Sequence, residues 1–128
     1  MTQVIVVGSG HWGKNLVRNF YELDSLAGVV EVSAPLQQRV KEQYPQVLVF
    51  SDFTEALATD VPAVVLATPA PSHYALALAA LKAGKDVFVE KPMTLRAAEA
   101  GELATYAGTH NQILMVGHLL LYQPAIAW

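Results

Sequence analysis

Six short, predominantly apolar runs punctuate the chain, separated by longer stretches in which apolar residues recur every three or four positions. The runs lie near residues 3–7, 28–32, 47–50, 63–67, 86–89 and 113–116, too short for helices and too uniformly apolar for strands with one wet face. Strands buried on both faces belong to parallel sheets covered by helices, and the intervening stretches supply those helices. Leu16, Phe20 and Leu23 recur at i, i+4 and i+7, predicting a first helix with one buried face. A second begins near Pro35, which suits a first helical turn, and stops before Pro45. A short helix is predicted over 52–57, capped by Ser51 or Asp52. A clearer one runs over 73–83, with Ser72 as N-cap, Tyr74, Ala77, Leu78 and Leu81 on one face, and Gly84 as its stop. The last begins after Thr94 and carries Ala100, Leu103, Ala104 and Ala107 at helical spacing before Gly108. Such alternation predicts an α/β doubly wound parallel sheet of about six strands in the order 3-2-1-4-5-6. Ligands of these sheets bind beyond the C-terminal strand ends, so functional residues are expected after Val7, Val32, Ala67, Val89 and Val116.

The first run passes straight into Gly8-x-Gly10-x-x-Gly13. A strand that ends in a glycine turn and opens a helix aims unpaired amides and the positive helix end at one spot, where a pyrophosphate binds. Gly8 allows the tight turn, Gly10 lets backbone approach the phosphates, and Gly13 lets the helix sit close to the strand, as in the Rossmann type of sheet. Glu31 stands eighteen residues beyond Gly13, at the tip of the second predicted strand, where a carboxylate accepts hydrogen bonds from the adenosine ribose. Such an acid repels a 2'-phosphate, whereas an NADP site would offer a nearby arginine, so NAD is favoured; Ser33 leaves NADP as the alternative. Gly8 to Lys14 also fits the opening of a P-loop, G-x-x-x-x-G-K, but Asn15 stands where a magnesium-binding hydroxyl is needed. The run ending at Ala67 leads into Thr68-Pro69 and supplies no metal-binding acid either.

Composition narrows the partners. A chain of 128 residues is one ordinary domain, and a formal net charge of -3 with scattered Lys and Arg argues against nucleic acid or an anionic membrane. The sequence has no cysteine, so disulfides and thiolate metal sites are excluded. The four histidines do not combine with nearby acids at a familiar metal-ligand spacing, and no metal is expected. No apolar run is long enough to span a bilayer and no signal-peptide pattern opens the chain, so a cytoplasmic location is expected.

Four segments together identify a family. Beside the glycine triplet stand Ala67-Thr-Pro-x-x-x-His73, Ala83-Gly-Lys-Asp-Val-Phe-Val-Glu-Lys-Pro92 and Gly117-His-Leu-Leu-Leu-Tyr-Gln-Pro124. Over nearly its whole length the chain resembles the Gfo/Idh/MocA oxidoreductases. His11-Trp-Gly-Lys-Asn-Leu-Val-Arg-Asn-Phe20 is most similar to the branch that oxidises nucleotide-linked amino sugars, the UDP-N-acetylglucosamine 3-dehydrogenase type. The resemblance implies that Lys91 is catalytic, lying beside the nicotinamide ribose and the substrate hydroxyl. An ammonium there polarises the alcohol, and desolvation would tune it for proton transfer. Glu90 would orient Lys91 or touch the ribose. Pro92 would fix the turn, with a cis bond before it a natural option. Thr68, Pro69 and His73 would border the cofactor, although His73 reads equally as a solvent-exposed residue at a helix start. Trp12 would cover the pyrophosphate side or simply the core, and His11 would offer its backbone amide. His118 would reach the nicotinamide end, or else be a hydrogen-bonded structural histidine. His110, in a polar turn, is assigned nothing.

The resemblance also sets expectations about extent. It implies that residues 1–118 form the NAD(P)-binding domain and that residues 119–128 start a connection to a C-terminal α+β substrate domain absent from this chain. In that reading the cofactor partner is NAD(H), a sugar or nucleotide-sugar substrate requires the second domain, and the chain alone is inactive. The apolar segment Leu119 to Trp128 has no element to pack against and is expected to drive self-association. The alternative class is a stand-alone, non-catalytic NAD(P)-binding module.

Overall fold

The computed structural model describes residues 2–126. In chain order the elements are β1 (Val4–Val7), α1 (Gly13–Glu22), β2 (Leu26–Val30), α2 (Ala34–Gln43), β3 (Leu48–Phe50), α3 (Phe53–Leu57), β4 (Ala63–Leu66), α4 (His73–Lys82), β5 (Asp86–Glu90), α5 (Ala97–Thr109) and β6 (Leu114–Gly117). Short 3₁₀ turns occupy Ala70–Ser72 and Leu119–Tyr122. The six strands form one sheet in the order β3-β2-β1-β4-β5-β6, with every pairing parallel. This is the doubly wound Rossmann arrangement expected from the sequence.

Alternation along each strand divides the core into two layers. Val4, Val6, Val29 and Val65 face one way and pack with Val17 of α1 and Val40 of α2. Ile5, Val7, Val30, Val64, Leu66, Val87 and Val89 face the other and pack with Ala56 of α3, Ala77, Ala80 and Leu81 of α4, and Leu103 and Ala107 of α5. Fully burying each Val or Leu contributes roughly 1.5–3 kcal/mol before chain entropy is charged against it. The central strands therefore carry the uniform apolar runs that predicted them.

Several local expectations are corrected. β2 spans Leu26–Val30 rather than 28–32, so Glu31 lies just past the strand and Val32 is 84 % exposed. Leu23 does not join the buried face of α1: the helix ends at Glu22, Asp24 takes a positive φ, and Leu23 turns out to solvent. Val17, one residue from the predicted stripe, is the fully buried position. Ser72 stands at the N-cap of α4 but its hydroxyl caps no helical amide; it bonds the Thr68 hydroxyl and the Pro69 carbonyl instead. The cap of α3 is Asp52, whose carboxylate accepts from the Thr54 amide. α5 starts at Ala97, continues through Gly108, and leaves Ala104 exposed. Among the described residues no helix is long and apolar enough to cross a membrane, and no cluster of three metal-binding side chains occurs.

Candidate cofactor site

The turn after β1 is built by close backbone approach. Gly8 has φ +90°, a conformation costly for any residue with a Cβ, and a Cβ there would lie 2.9 Å from the Ala67 carbonyl oxygen. At Gly13 a Cβ would come within 2.0 Å of the Gly8 carbonyl oxygen, so only glycine lets α1 start this close to the turn. A Cβ on Gly10 would meet nothing within 4 Å, and open space therefore lies in front of the turn. The amides of Lys14 and Asn15 in the first turn of α1 donate to the Gly10 and Trp12 carbonyls, whereas those of residues 10–13 have no backbone acceptor among the described residues, and Trp12 at the N-cap position provides no side-chain cap. Open space before the free amides of the turn and helix start fits a phosphate group.

Glu31 is 7 % exposed and reaches back to the same turn. Its Oε1 accepts from the Ser9 amide at 2.9 Å and the Ser9 hydroxyl at 2.7 Å, while Oε2 accepts from the Ser33 amide at 3.0 Å. Burial pushes the carboxyl pKa up, but donation from the Ser9 hydroxyl and the Ser33, Ser9 and Val32 amides outweighs it. The net shift is downward. Glu31 thus serves the turn itself, and only its remaining acceptor capacity is left for a ribose. Arg39 of α2 donates to the Ser9 carbonyl at 2.8 Å, so the Ser9 peptide is held on both sides. Neither the Ser9 contacts nor Arg39 was anticipated. The bonds join residues 22 and 30 positions apart, and only the small side chain of Ser9 between two motif glycines could have signalled them.

At the ends of β4, β5 and β6 a cavity of about 1020 Å³ opens. Trp12, Thr68, Glu90, Lys91, Pro92 and His118 line it, together with Ala67, Gly117 and Leu119 to Leu121. Trp12 joins the cavity to the glycine turn and is 42 % exposed, so it is not a core residue. His118 is exposed on the cavity wall rather than buried as a structural histidine. The Lys91–Pro92 bond is cis. Lys91 is exposed, so the described residues do not supply the desolvation expected around it. Glu90 lies against Gly117, where a Cβ would stand 2.7 Å from Glu90 Oε1. Gly117 was part of a recognised segment, but its part in seating Glu90 follows only from the pairing of β5 with β6.

Besides the turn glycines and Glu31, three anticipated residues stand apart from the cavity lining. His11 is exposed in the turn, and Pro69 is exposed with its carbonyl bonded to Ser72. His73 departs most from expectation. It is 1 % exposed, not a solvated residue at a helix start, and both ring nitrogens face backbone carbonyls, of Pro92 at 2.7 Å and Thr68 at 2.8 Å. Its ring braces the cavity wall from behind, which leaves neither nitrogen for a cofactor.

Comparison with known proteins gives a consistent picture. Residues 2–118 match the family model GFO_IDH_MocA, described as an oxidoreductase family with an NAD-binding Rossmann fold. The chain is 34 % identical to UDP-N-acetylglucosamine 3-dehydrogenase of Acidithiobacillus ferrooxidans, over 96 % of this chain and 39 % of that protein. It is 38 % identical to inositol 2-dehydrogenase of Streptomyces avermitilis, over 76 % of this chain and 29 % of that one. Among solved structures, the Acidithiobacillus ferrooxidans enzyme superposes with a TM-score of 0.88 at 32 % identity, covering 97 % of this chain and 40 % of that one. GenD2 from gentamicin A biosynthesis, solved in complex with NAD, gives a TM-score of 0.89 at 30 % identity, covering 96 % of this chain and 36 % of that one. The chain thus spans about two fifths or less of the length of these relatives.

Proposed function

Since the chain belongs to the Gfo/Idh/MocA oxidoreductase family and corresponds to its NAD-binding Rossmann domain, we propose that it holds NAD for hydride exchange with a sugar or nucleotide-linked sugar hydroxyl. One observation carries this reading: Lys91, Glu90, Thr68 and His118 line a single cavity, and Trp12 joins it to the glycine turn. The amides of the turn would hold the pyrophosphate, and Glu31, already fixed by Ser9 and Ser33, would face the adenosine ribose. NAD held there would supply the hydride acceptor for a carbinol carbon. The work of this chain is to orient that group and to hold charge beside it. Lys91 Nζ would donate to the nicotinamide ribose and to the oxygen of the reacting hydroxyl, holding positive charge beside it. Glu90, seated against Gly117, would fix the direction of the Lys91 side chain. His118 would close the nicotinamide end.

The sugar class is suggested by relatives that are UDP-N-acetylglucosamine and inositol dehydrogenases. In this reading residues 1–118 are the cofactor domain and 119–128 begin the connection to a substrate domain, for which the greater length of the relatives leaves room. Hydride transfer requires both reactants in near-attack geometry, so turnover belongs to the two domains together. Arg39 beside the turn favours a second reading, NADP, since a guanidinium there offers a partner for a 2'-phosphate. Fluorescence titration of the purified chain with NADH and NADPH separates these readings. Saturable NADH binding, tighter than NADPH and weakened by Glu31→Ala, is the expected result. Preference for NADPH would reverse the assignment of Glu31, and failure of both to bind would remove the proposal.

A further inference from the structure

His73 is the first residue of α4, and its ring spans the gap between two turns that reach the cavity from different strands. Nε2 lies 2.8 Å from the carbonyl oxygen of Thr68, just after β4, and Nδ1 lies 2.7 Å from that of Pro92, just after β5. A carbonyl oxygen brings no proton, so the proton of each bond comes from the ring. A ring with one N–H ties one turn, and a ring with both N–H groups ties the two together. Deleting the ring in either case leaves a part-buried carbonyl without its donor, a loss of about the net value of an ordinary hydrogen bond. Thr68, Lys91 and Pro92 line the cavity, whereas His73 stands behind them at 1 % exposure.

We propose that His73 is a positioning residue that sets the separation of the Thr68 turn from the Lys91–Pro92 turn, and thereby the placement of Lys91 at the nicotinamide end of the site. The inference rests on the cofactor reading above. It adds a specific asymmetry, because the glycine turn and Glu31 are organised by Ser9, Ser33 and Arg39 and take no hydrogen bond from His73. Disturbing His73 is therefore felt more by the nicotinamide half of the dinucleotide than by the ADP-ribose half, whose turn meets the Ala67–Thr68 segment only by packing.

The test titrates the full 128-residue chain with NADH and, separately, with ADP-ribose. Three variants are compared. His73→Phe keeps a ring of similar size without donors. His73→Asn places an amide nitrogen near the position of Nδ1, and His73→Gln places one near that of Nε2. The expected result for His73→Phe is NADH binding weakened about tenfold, the effect of losing roughly one hydrogen bond. ADP-ribose binding stays within about twofold of the unaltered chain, since its contacts lie elsewhere. His73→Asn, which rebuilds the link to Pro92, recovers part of the lost NADH affinity. Equal loss of both ligands would mark His73 as a general stability residue and overturn the inference, as would NADH affinity unchanged in His73→Phe. Should His73→Phe fail to fold, the single-donor variants make the same comparison, and an unaltered ratio of NADH to ADP-ribose affinity in both would sink it. An unaltered chain that bound neither ligand would instead bring down the cofactor reading, and this inference with it.

Discussion

The backbone of Gly13 passes so close to Gly8 that a Cβ at residue 13 would stand 2.0 Å from the Gly8 carbonyl oxygen. Neither partner is a side chain that could swing aside, so Gly13→Ala must displace the start of α1 from the sheet. The expected cost is about 3 kcal/mol or more, at the upper end of overpacking penalties. Gly10→Ala is the control. Its Cβ would meet nothing within 4 Å, so stability should stay within about 0.5 kcal/mol. That methyl group would nevertheless occupy the space proposed for phosphate, and NADH affinity should fall about tenfold or more. Urea unfolding and NADH titration of the two variants check both halves. A stable Gly13→Ala, or a Gly10→Ala that binds NADH normally, would contradict the account of the turn.

Glu31 makes stability depend on pH. Burial raises its pKa, but the Ser9 hydroxyl and the amides of Ser33, Ser9 and Val32 lower it further, so the folded value lies below the unfolded one. The sign follows: the stabilisation is fully present above the unfolded value, about 4.3 for glutamate, and is lost as pH falls through the lowered folded value. Glu31→Gln should remove that part of the acid sensitivity. It should also cost about 1–3 kcal/mol near neutral pH, because an amide NH₂ replaces one acceptor oxygen and faces an N–H donor. Urea midpoints measured near neutral pH and in mild acid test this. Parallel curves for the two proteins would exclude Glu31 as the linked group.

The strand order was legible because parallel strands buried on both faces announce themselves as continuous apolar runs, and the glycine spacing marked the strand edge where a nucleotide would sit. What the pattern could not convey was pairing across the chain. That Ser9 would bond Glu31, or that His73 would bridge Thr68 and Pro92, depends on side chains brought together by the sheet order, with no local signature. The error at Leu23 has a different source. Periodicity placed it on the apolar stripe of α1, but Asp24 breaks the helix with a positive φ before the stripe is complete. The solvated reading of His73 fails for a third reason: a helix start is usually solvated, and only the burial of the ring and its Thr68 and Pro92 contacts show that this one is enclosed.

Glu90 and Gly117 face each other across β5 and β6, and a Cβ at 117 would lie 2.7 Å from Glu90 Oε1 and 3.0 Å from Phe88 Cζ. Because a glutamate side chain can move, Gly117→Ala should fold, with a loss of about 1–2 kcal/mol from the crowded Phe88 ring. Its larger effect should fall on the site, since Glu90 is driven from the position proposed to orient Lys91. NADH affinity is expected to drop about threefold to tenfold, comparable to Glu90→Gln, and the double variant should add little to either. Titration of the three variants measures the coupling; fully additive losses would show that Gly117 does not act through Glu90.

Leu119, Leu120, Leu121 and Tyr122 are 52 %, 64 %, 69 % and 70 % exposed, an uninterrupted apolar segment beside the mouth of the cavity. Neither core layer includes them, so they contribute little to folding and leave a continuous apolar surface in contact with water. Surfaces of that kind drive association when nothing covers them. The chain is therefore expected to form dimers or larger species at micromolar concentration, and Leu120→Gln with Leu121→Gln should shift it to monomer. Because the replaced side chains lie outside the core, the urea midpoint should change by no more than the equivalent of about 0.5 kcal/mol. Sedimentation velocity over a range of concentrations reads the first effect and urea unfolding the second. A chain that stays monomeric without the substitutions would show that the segment is satisfied by contacts of its own.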